Sequence, residues 1–313
     1  MQGETGERFR IGVVRYLNTL PLIDGLERLA GIELRHEVPA RLVDLLDAGE
    51  VQLALGSSID LLRSRRSLEI VPVGCLSCHG ETLTVRLFSR RPLGEIARLD
   101  ADRESHTSVA LAQIILRERY GASPVVRSYD DDRDDRAECE AILLIGDKAV
   151  DHAPRDDEFP HRLDLGEAWR EMTGAPFVFA IWMAPRERTP TESARLRTVA
   201  AILDHRRRAN RHRIDEIASA HARAHGFEVE TARRYLGELL DFEYAAPQAR
   251  ALELFLSKAT AHGLATGDRE LAEALRPWST PAAPAGSGGA STSDSTAAAT
   301  AERASAEPAI GAR

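Results

Sequence analysis

Hydrophobic positions along this chain switch between two spacings, and the switches mark out its elements. Residues 10–15, Arg-Ile-Gly-Val-Val-Arg, are a short β-rich run that gives way to the polar loop Tyr16-Leu-Asn-Thr. Pro21 suits a first helical turn, with Thr19 or Leu20 at the cap, and Leu22, Ile23, Leu26 and Leu29 recur at helical spacing. One helix is expected across that stretch. A second is expected over 40–48, where Leu42, Val43, Leu45 and Leu46 lead to the helix-ending Gly49. Residues 51–55 read as a strand that turns through Gly56-Ser57-Ser58 into another helix. This βαβα alternation implies an α/β lobe with a mainly parallel, right-handed sheet.

Two later runs define a second unit. Residues 82–89 alternate and are β-rich, and 176–184, Pro-Phe-Val-Phe-Ala-Ile-Trp-Met-Ala, form a strongly apolar strand. Between them lie an expected helix over 107–120, an acidic stretch at 130–135, and a strand over 141–145 leading to Gly146-Asp147. A chain that leaves one lobe near residue 89 and returns near 185 has lobe 1 at 1–89 plus 185–278 and lobe 2 at 90–184. The two strands then act as hinges, and the ligand belongs in the cleft. Helices over 192–275 are expected to pack on the first lobe. From 279 to 313 the chain is Ala, Ser, Gly, Thr and Pro with almost no large apolar residues, the composition of a disordered tail.

Composition narrows the function. With 43% hydrophobic and 29% charged residues, 313 residues supply apolar surface for two lobes. No run approaches the roughly 18 apolar residues of a membrane span, and residues 1–10 lack the apolar core of a secretory signal. The expected location is the cytoplasm. A net charge of −8 argues against nucleic acid and anionic membranes as partners, while local donors remain free to hold a small anion. The basic run from His205 to Arg213 accordingly reads as a solvated helix face rather than a nucleic-acid contact.

Cys75-Leu-Ser-Cys78-His79 matches the C-x-x-C-H pattern of covalent haem attachment, but such attachment needs export. A redox or metal role for the pair lacks a second ligand cluster at zinc-site spacing. The remaining reading is a strand end and turn, and neither a cofactor nor a metal is expected.

Two kinds of residue are candidates for binding. Asn18 lies at the carboxyl end of the first strand, where open α/β sheets bind ligands, but an asparagine there also serves as an ordinary turn residue. Ser105, Thr107 and Ser108 open a helix, so they either cap it or build an anion site from hydroxyls and free N–H groups. Ser57 and Ser58 present the same choice.

Four segments, in order, resemble the chorismate dehydratase family of the futalosine route to menaquinone. Gly12-Val-Val-Arg-Tyr-Leu-Asn-Thr-Leu-Pro-Leu is similar to its Tyr-Leu-Asn-Thr-x-Pro-Leu signature, and Gly49-Glu-Val-Gln-Leu-Ala-Leu-Gly-Ser-Ser-Ile-Asp to its Gly-Glu-x-Asp-x-Ala-Leu-x-Pro-Ser stretch. Ser105-His-Thr-Ser-Val-Ala-Leu resembles its Ser-x-Thr-Ser helix start. Ile145-Gly-Asp-Lys-Ala, Asp164-Leu-Gly-Glu-Ala-Trp and Thr173-Gly-Ala-Pro-Phe-Val-Phe-Ala-Ile-Trp complete the set. Thr84 stands where the family typically has serine, and Ser57 where it has proline.

The resemblance implies a two-lobed periplasmic-binding-protein-like type II fold. It also implies dehydration of chorismate to 3-[(1-carboxyvinyl)oxy]benzoate, with Asn18 and Thr84 at catalytic positions and Ser105, Thr107 and Ser108 binding substrate; Ser57 and Ser58, by their place before a predicted helix, are expected to bind it too. No strong base stands in these segments, so a carboxylate of the substrate is the expected proton acceptor; His79 and Glu81 are the nearest alternatives. Asp147 and Trp169 read as capping or packing residues. A competing reading on the same fold is a non-catalytic binding protein for a small carboxylate.

Overall fold

The computed structural model describes residues 8–265 and 270–278; the expected tail, 279–313, lies outside the described residues. β1 (Phe9–Val14) carries Ile11 and Val13 fully buried and ends at the loop containing Asn18. The helix expected next is broken. α1 covers only Leu20–Ile23, because Gly25 takes a left-handed φ of +87° and restarts the chain in a 3₁₀ turn at Leu26–Arg28. β2 (Ile32–Glu37), α2 (Pro39–Asp47) and β3 (Leu53–Ser57) follow, and a 3₁₀ turn at Ser58–Leu61 replaces the helix expected after Ser58.

The long strand β4 (Leu68–Cys78) precedes the first crossing, and β5 (Val85–Ser89) follows it. β6 (Arg98–Asp102), α3 (His106–Tyr120), β7 (Val125–Tyr129), β8 (Ala141–Ile145), α4 (Lys148–Asp151), β9 (His161–Asp164) and α5 (Leu165–Thr173) form the second unit. The chain returns through β10 (Phe177–Pro185). It continues as α6 (Pro190–Arg211), α7 (Ile214–His221), α8 (Val229–Arg234), a π-helical turn at Tyr235–Leu239, β11 (Leu240–Asp241), α9 (Ala246–Ala261) and α10 (Leu271–Ala274).

The strands form a six-stranded sheet, ordered β11-β4-β10-β3-β1-β2, and a five-stranded sheet, ordered β7-β6-β8-β5-β9. The first is mixed rather than mainly parallel. β1 runs parallel to β2 and β3, but β10 is antiparallel to β3 and β4. The reason is topological: the chain leaves along β4 and returns along β10, so neighbouring strands run in opposite directions.

Sheet membership also moves the crossings. β5 pairs with β8 and β9 in the second sheet, and β10 pairs in the first, so the chain crosses at 79–84 and 174–176. Residues 85–89 and 177–184 therefore belong to the lobes opposite to those assigned from the pattern. Nor do the C-terminal helices keep to one lobe. α6, started by a capping box between Thr189 and Glu192, packs on α1 and β4, whereas α9 packs on β10 and on α3 of the second unit. Trp169, Phe177 and Phe255 meet edge to face, with centroids 4.9–6.2 Å apart, and tie α5, β10 and α9 together. Among the described residues no helix is long and apolar enough to cross a membrane.

Candidate active site

Where β1 ends, the chain enters a 3₁₀ turn, Leu17–Thr19, that buries Asn18. Thr19 Oγ1 donates to Asn18 Oδ1 at 3.4 Å, which leaves the amide nitrogen facing inward. That nitrogen donates to the hydroxyl oxygen of Tyr235 at 3.0 Å. Thr84 reaches the same hydroxyl from the first crossing, with its Oγ1 2.6 Å away.

The crossing is held in an unusual conformation. Leu83 has φ +63°, a strained value for a residue with a large side chain. The Asp164 carboxylate holds it there by accepting from the backbone N–H groups of Thr82 (3.0 Å) and Leu83 (2.8 Å), while also capping α5 through Gly166 N. Strain and clamp together aim Thr84 into the cleft.

Tyr235 opens the π-helical turn, fully buried, with its ring stacked on Phe227 at 5.6 Å. Burial raises its hydroxyl well above the ordinary tyrosine value, against partial relief from Thr84 and Asn18, so it stays protonated.

These groups line a cleft cavity of about 570 Å³, its open mouth included. Val14, Leu55, Leu76, Ile145 and Phe179 form apolar walls, and the polar lining includes Asn18, Ser57, Thr84, Ser105, Ser108 and Tyr235. The lining holds no arginine or lysine, so an anion there meets neutral donors. A larger hollow of about 1880 Å³ on the same measure, lined by Arg207, Arg233, Glu230 and Asp241 among others, is charged and lacks this convergence of hydroxyls.

Contacts between the lobes surround the cavity. The Tyr16 hydroxyl donates across to Glu104, which Lys148 of Glu104's own lobe holds at 3.2 Å from Nζ while lying 2.7 Å from Asp102. Asp147 accepts from Leu17 N at 3.3 Å and lies 2.7 Å from His225 Nδ1.

Residues 9–261 match the model of a family described as menaquinone biosynthesis. A chorismate dehydratase from Thermus thermophilus is 35% identical over 240 residues, which cover 72% of this chain and 86% of that one. The chain belongs to the menaquinone biosynthesis family. Solved structures place the family member's fold among periplasmic-binding-protein-like folds. The alkanesulfonate-binding protein from Xanthomonas axonopodis pv. citri superposes with TM-score 0.61 at 13% identity, over 87% of this chain and 99% of its own. A protein from Archaeoglobus fulgidus gives 0.59 at 17% (82% and 98%), and the periplasmic aliphatic sulphonate binding protein from Escherichia coli 0.53 at 14% (85% and 96%).

Of the candidates in this family member, Asn18, Thr84, Ser57, Ser105 and Ser108 line the one cavity. Ser58 and Thr107 lie behind it. Ser58 Oγ donates to Val178 O at 2.8 Å, and Thr107 Oγ1 accepts from Ile59 N at 3.3 Å and meets Ser58 Oγ at 3.3 Å, so this pair pins β3's turn to the start of α3. Ser105 is both cap and lining residue: it accepts from Ser108 N at 3.0 Å and donates to Ser108 Oγ at 2.9 Å, leaving the Ser108 hydroxyl hydrogen available to the cavity.

Asp147 makes no side-chain cap on α4 and instead supports the opposite lobe's Asn18 turn. Trp169 is a packing residue, fully buried with Nε1 donating to Pro176 O. Neither His79 nor Glu81 lines the cavity, and Glu81 is paired with Arg234. Cys75 and Cys78 lie buried in β4 with thiols pushed up to about 12 by burial, which denies them thiolate chemistry near neutral pH. Among the described residues no group of three or more His, Cys, Asp or Glu is gathered as a metal set.

Proposed function

We propose that this chain is a chorismate dehydratase, a carbon–oxygen lyase that eliminates water from chorismate to give 3-[(1-carboxyvinyl)oxy]benzoate. The observation that carries the reading is a buried, apolar-walled cavity in which Asn18 and Thr84, from separate segments, converge on one hydroxyl. The identity to a curated dehydratase supports the same reaction.

The chemistry suits neutral donors. Chorismate has a ring carboxylate and an enolpyruvyl carboxylate; Ser57 and Ser108 supply hydroxyl hydrogens to them, with Ser105 holding Ser108 in place at the start of α3. Loss of the ring proton beside the ether sends charge through the ring into its carboxylate, so donors there stabilise the transition state more than the ground state. The substrate's enolpyruvyl carboxylate takes the proton. The neighbouring C–O bond then breaks, the ring becomes aromatic, and the Asn18 amide and Thr84 hydroxyl hydrogen-bond the departing oxygen and the carboxylate. The protein's contribution is orientation and donor placement in an apolar-walled cleft.

Chromatography with mass detection of chorismate incubated with purified wild type, Asn18→Ala and Thr84→Ala tests the assignment. Product from the wild type and at least about a tenfold loss in each folded variant is expected. Wild-type turnover in either folded variant would remove that residue from the mechanism.

A further inference from the structure

We infer that Tyr235 is a positioning residue for the elimination, joining Asn18 and Thr84 into a chain that presents a single O–H donor to the leaving hydroxyl. The inference rests on the dehydratase reading above. Its basis is a count of hydrogens. Asn18 Nδ2 only donates, so its 3.0 Å contact occupies an acceptor site on the Tyr235 oxygen. The 2.6 Å contact between Tyr235 and Thr84 uses one hydroxyl hydrogen, from whichever partner donates. Two hydroxyls hold two hydrogens, so one remains. If Tyr235 donates to Thr84, the Thr84 hydrogen faces the cavity; if Thr84 donates, the Tyr235 hydrogen does, and both residues line it. Each arrangement delivers one donor of fixed direction; without the phenolic oxygen Thr84 keeps its hydrogen but loses the partner that orients it.

Ring packing alone does not need that oxygen. Stacking on Phe227 at an interplanar angle of 9° seats the ring, and the widened π-turn at Tyr235–Leu239 sets its direction. The proton balance closes within the substrate: the C–H and C–O bonds break, a ring double bond forms, and the proton taken by the substrate carboxylate passes to the departing oxygen to make water. Tyr235 and Thr84 therefore keep their own protons, and their part is to hold the leaving oxygen in line.

The test compares wild type, Tyr235→Phe, Thr84→Val and the double variant by chorismate turnover, with kcat and KM measured separately. Folded Tyr235→Phe is expected to lose about ten- to a hundredfold in kcat with KM within about threefold, and the double variant to match Thr84→Val within about twofold, because Tyr235 acts through the shared chain. Wild-type kcat in Tyr235→Phe, or losses that multiply in the double variant, overturns the inference and leaves the dehydratase reading standing. A wild type that does not convert chorismate overturns both. Should Tyr235→Phe fail to fold, site-specific 3-fluorotyrosine at 235 keeps packing and hydrogen bonds while making the phenol a stronger donor. An increase in kcat is then expected, and an unchanged kcat overturns the inference.

Discussion

Substituting Gly146 by alanine tests whether closure of the two lobes assembles the site. Gly146 follows β8 in one lobe, and Tyr16 follows β1 in the other. A methyl group at Gly146 would sit 2.7 Å from Tyr16 Cε2 and Cζ and 2.9 Å from Cδ2, where ordinary contact begins near 3.4 Å. The ring cannot easily give way, because it is buried and its hydroxyl is bonded to Glu104. Overpacking of this kind costs about 1–3 kcal/mol, which lowers the closed population about 5- to 150-fold. Gly146 also has φ +64°, so alanine adds about 1 kcal/mol of backbone strain.

Gly121 separates the two effects. It caps α3 at φ +70° with nothing within 4 Å of an added methyl, so Gly121→Ala carries the strain without the clash. Steady-state kinetics with chorismate, beside thermal unfolding of both variants, is the assay. Both should lose about 1 kcal/mol of stability, but only Gly146→Ala should raise KM, by about five- to 150-fold. An unchanged KM in a folded Gly146→Ala would refute the argument that this contact governs closure.

Thr84→Ser keeps the hydroxyl while removing a methyl group, and its turnover should stay within about threefold of wild type, measured by product formation. Ser105→Ala removes the cap on α3 and a cavity hydroxyl together; about 1 kcal/mol of stability should be lost in denaturant unfolding, with a raised KM, and a variant as stable as wild type would contradict the capping role. Burial pushes Asp47 up, but hydrogen bonds from Ser64, Arg65 and Arg66 outweigh it, so its carboxyl lies below the ordinary 3.8. A depressed carboxyl stabilises the fold fully above the unfolded value and loses that contribution as pH falls through the folded one. Asp47→Asn should thus be less stable than wild type at neutral pH, with the gap closing below about pH 4 in unfolding curves; a gap independent of pH would contradict this.

The legible parts of the molecule were those written in local pattern. The helix His106–Tyr120 carries its start signal in Ser105 and its stop in Gly121, and the strand Ala141–Ile145 stands out as an apolar run, so local pattern places both within a residue of their bounds. What the pattern did not carry was pairing. Nothing local says that Val85–Ser89 pairs with Ala141–Ile145 rather than with the first sheet, and the lobe boundaries shifted accordingly. The helix expected through Gly25 failed because apolar spacing continued across a residue whose backbone does not.

The site shows the same division. Asn18 and Thr84 carry a motif resemblance, but Tyr235, 217 residues from Asn18, falls in the stretch 192–275 where the pattern shows only helices. No spacing rule distinguishes a tyrosine packed for its ring from one held for its hydroxyl. The strained Leu83 was equally silent, since the reason for its φ is Asp164, 81 residues away.

The central claim is that this cleft dehydrates chorismate, and the most direct measurement is incubation of the purified protein with chorismate, without added metal or cofactor, followed by chromatography with mass detection. The account predicts time-dependent, enzyme-dependent loss of one water to 3-[(1-carboxyvinyl)oxy]benzoate. Chorismate recovered intact from a demonstrably folded protein would contradict it.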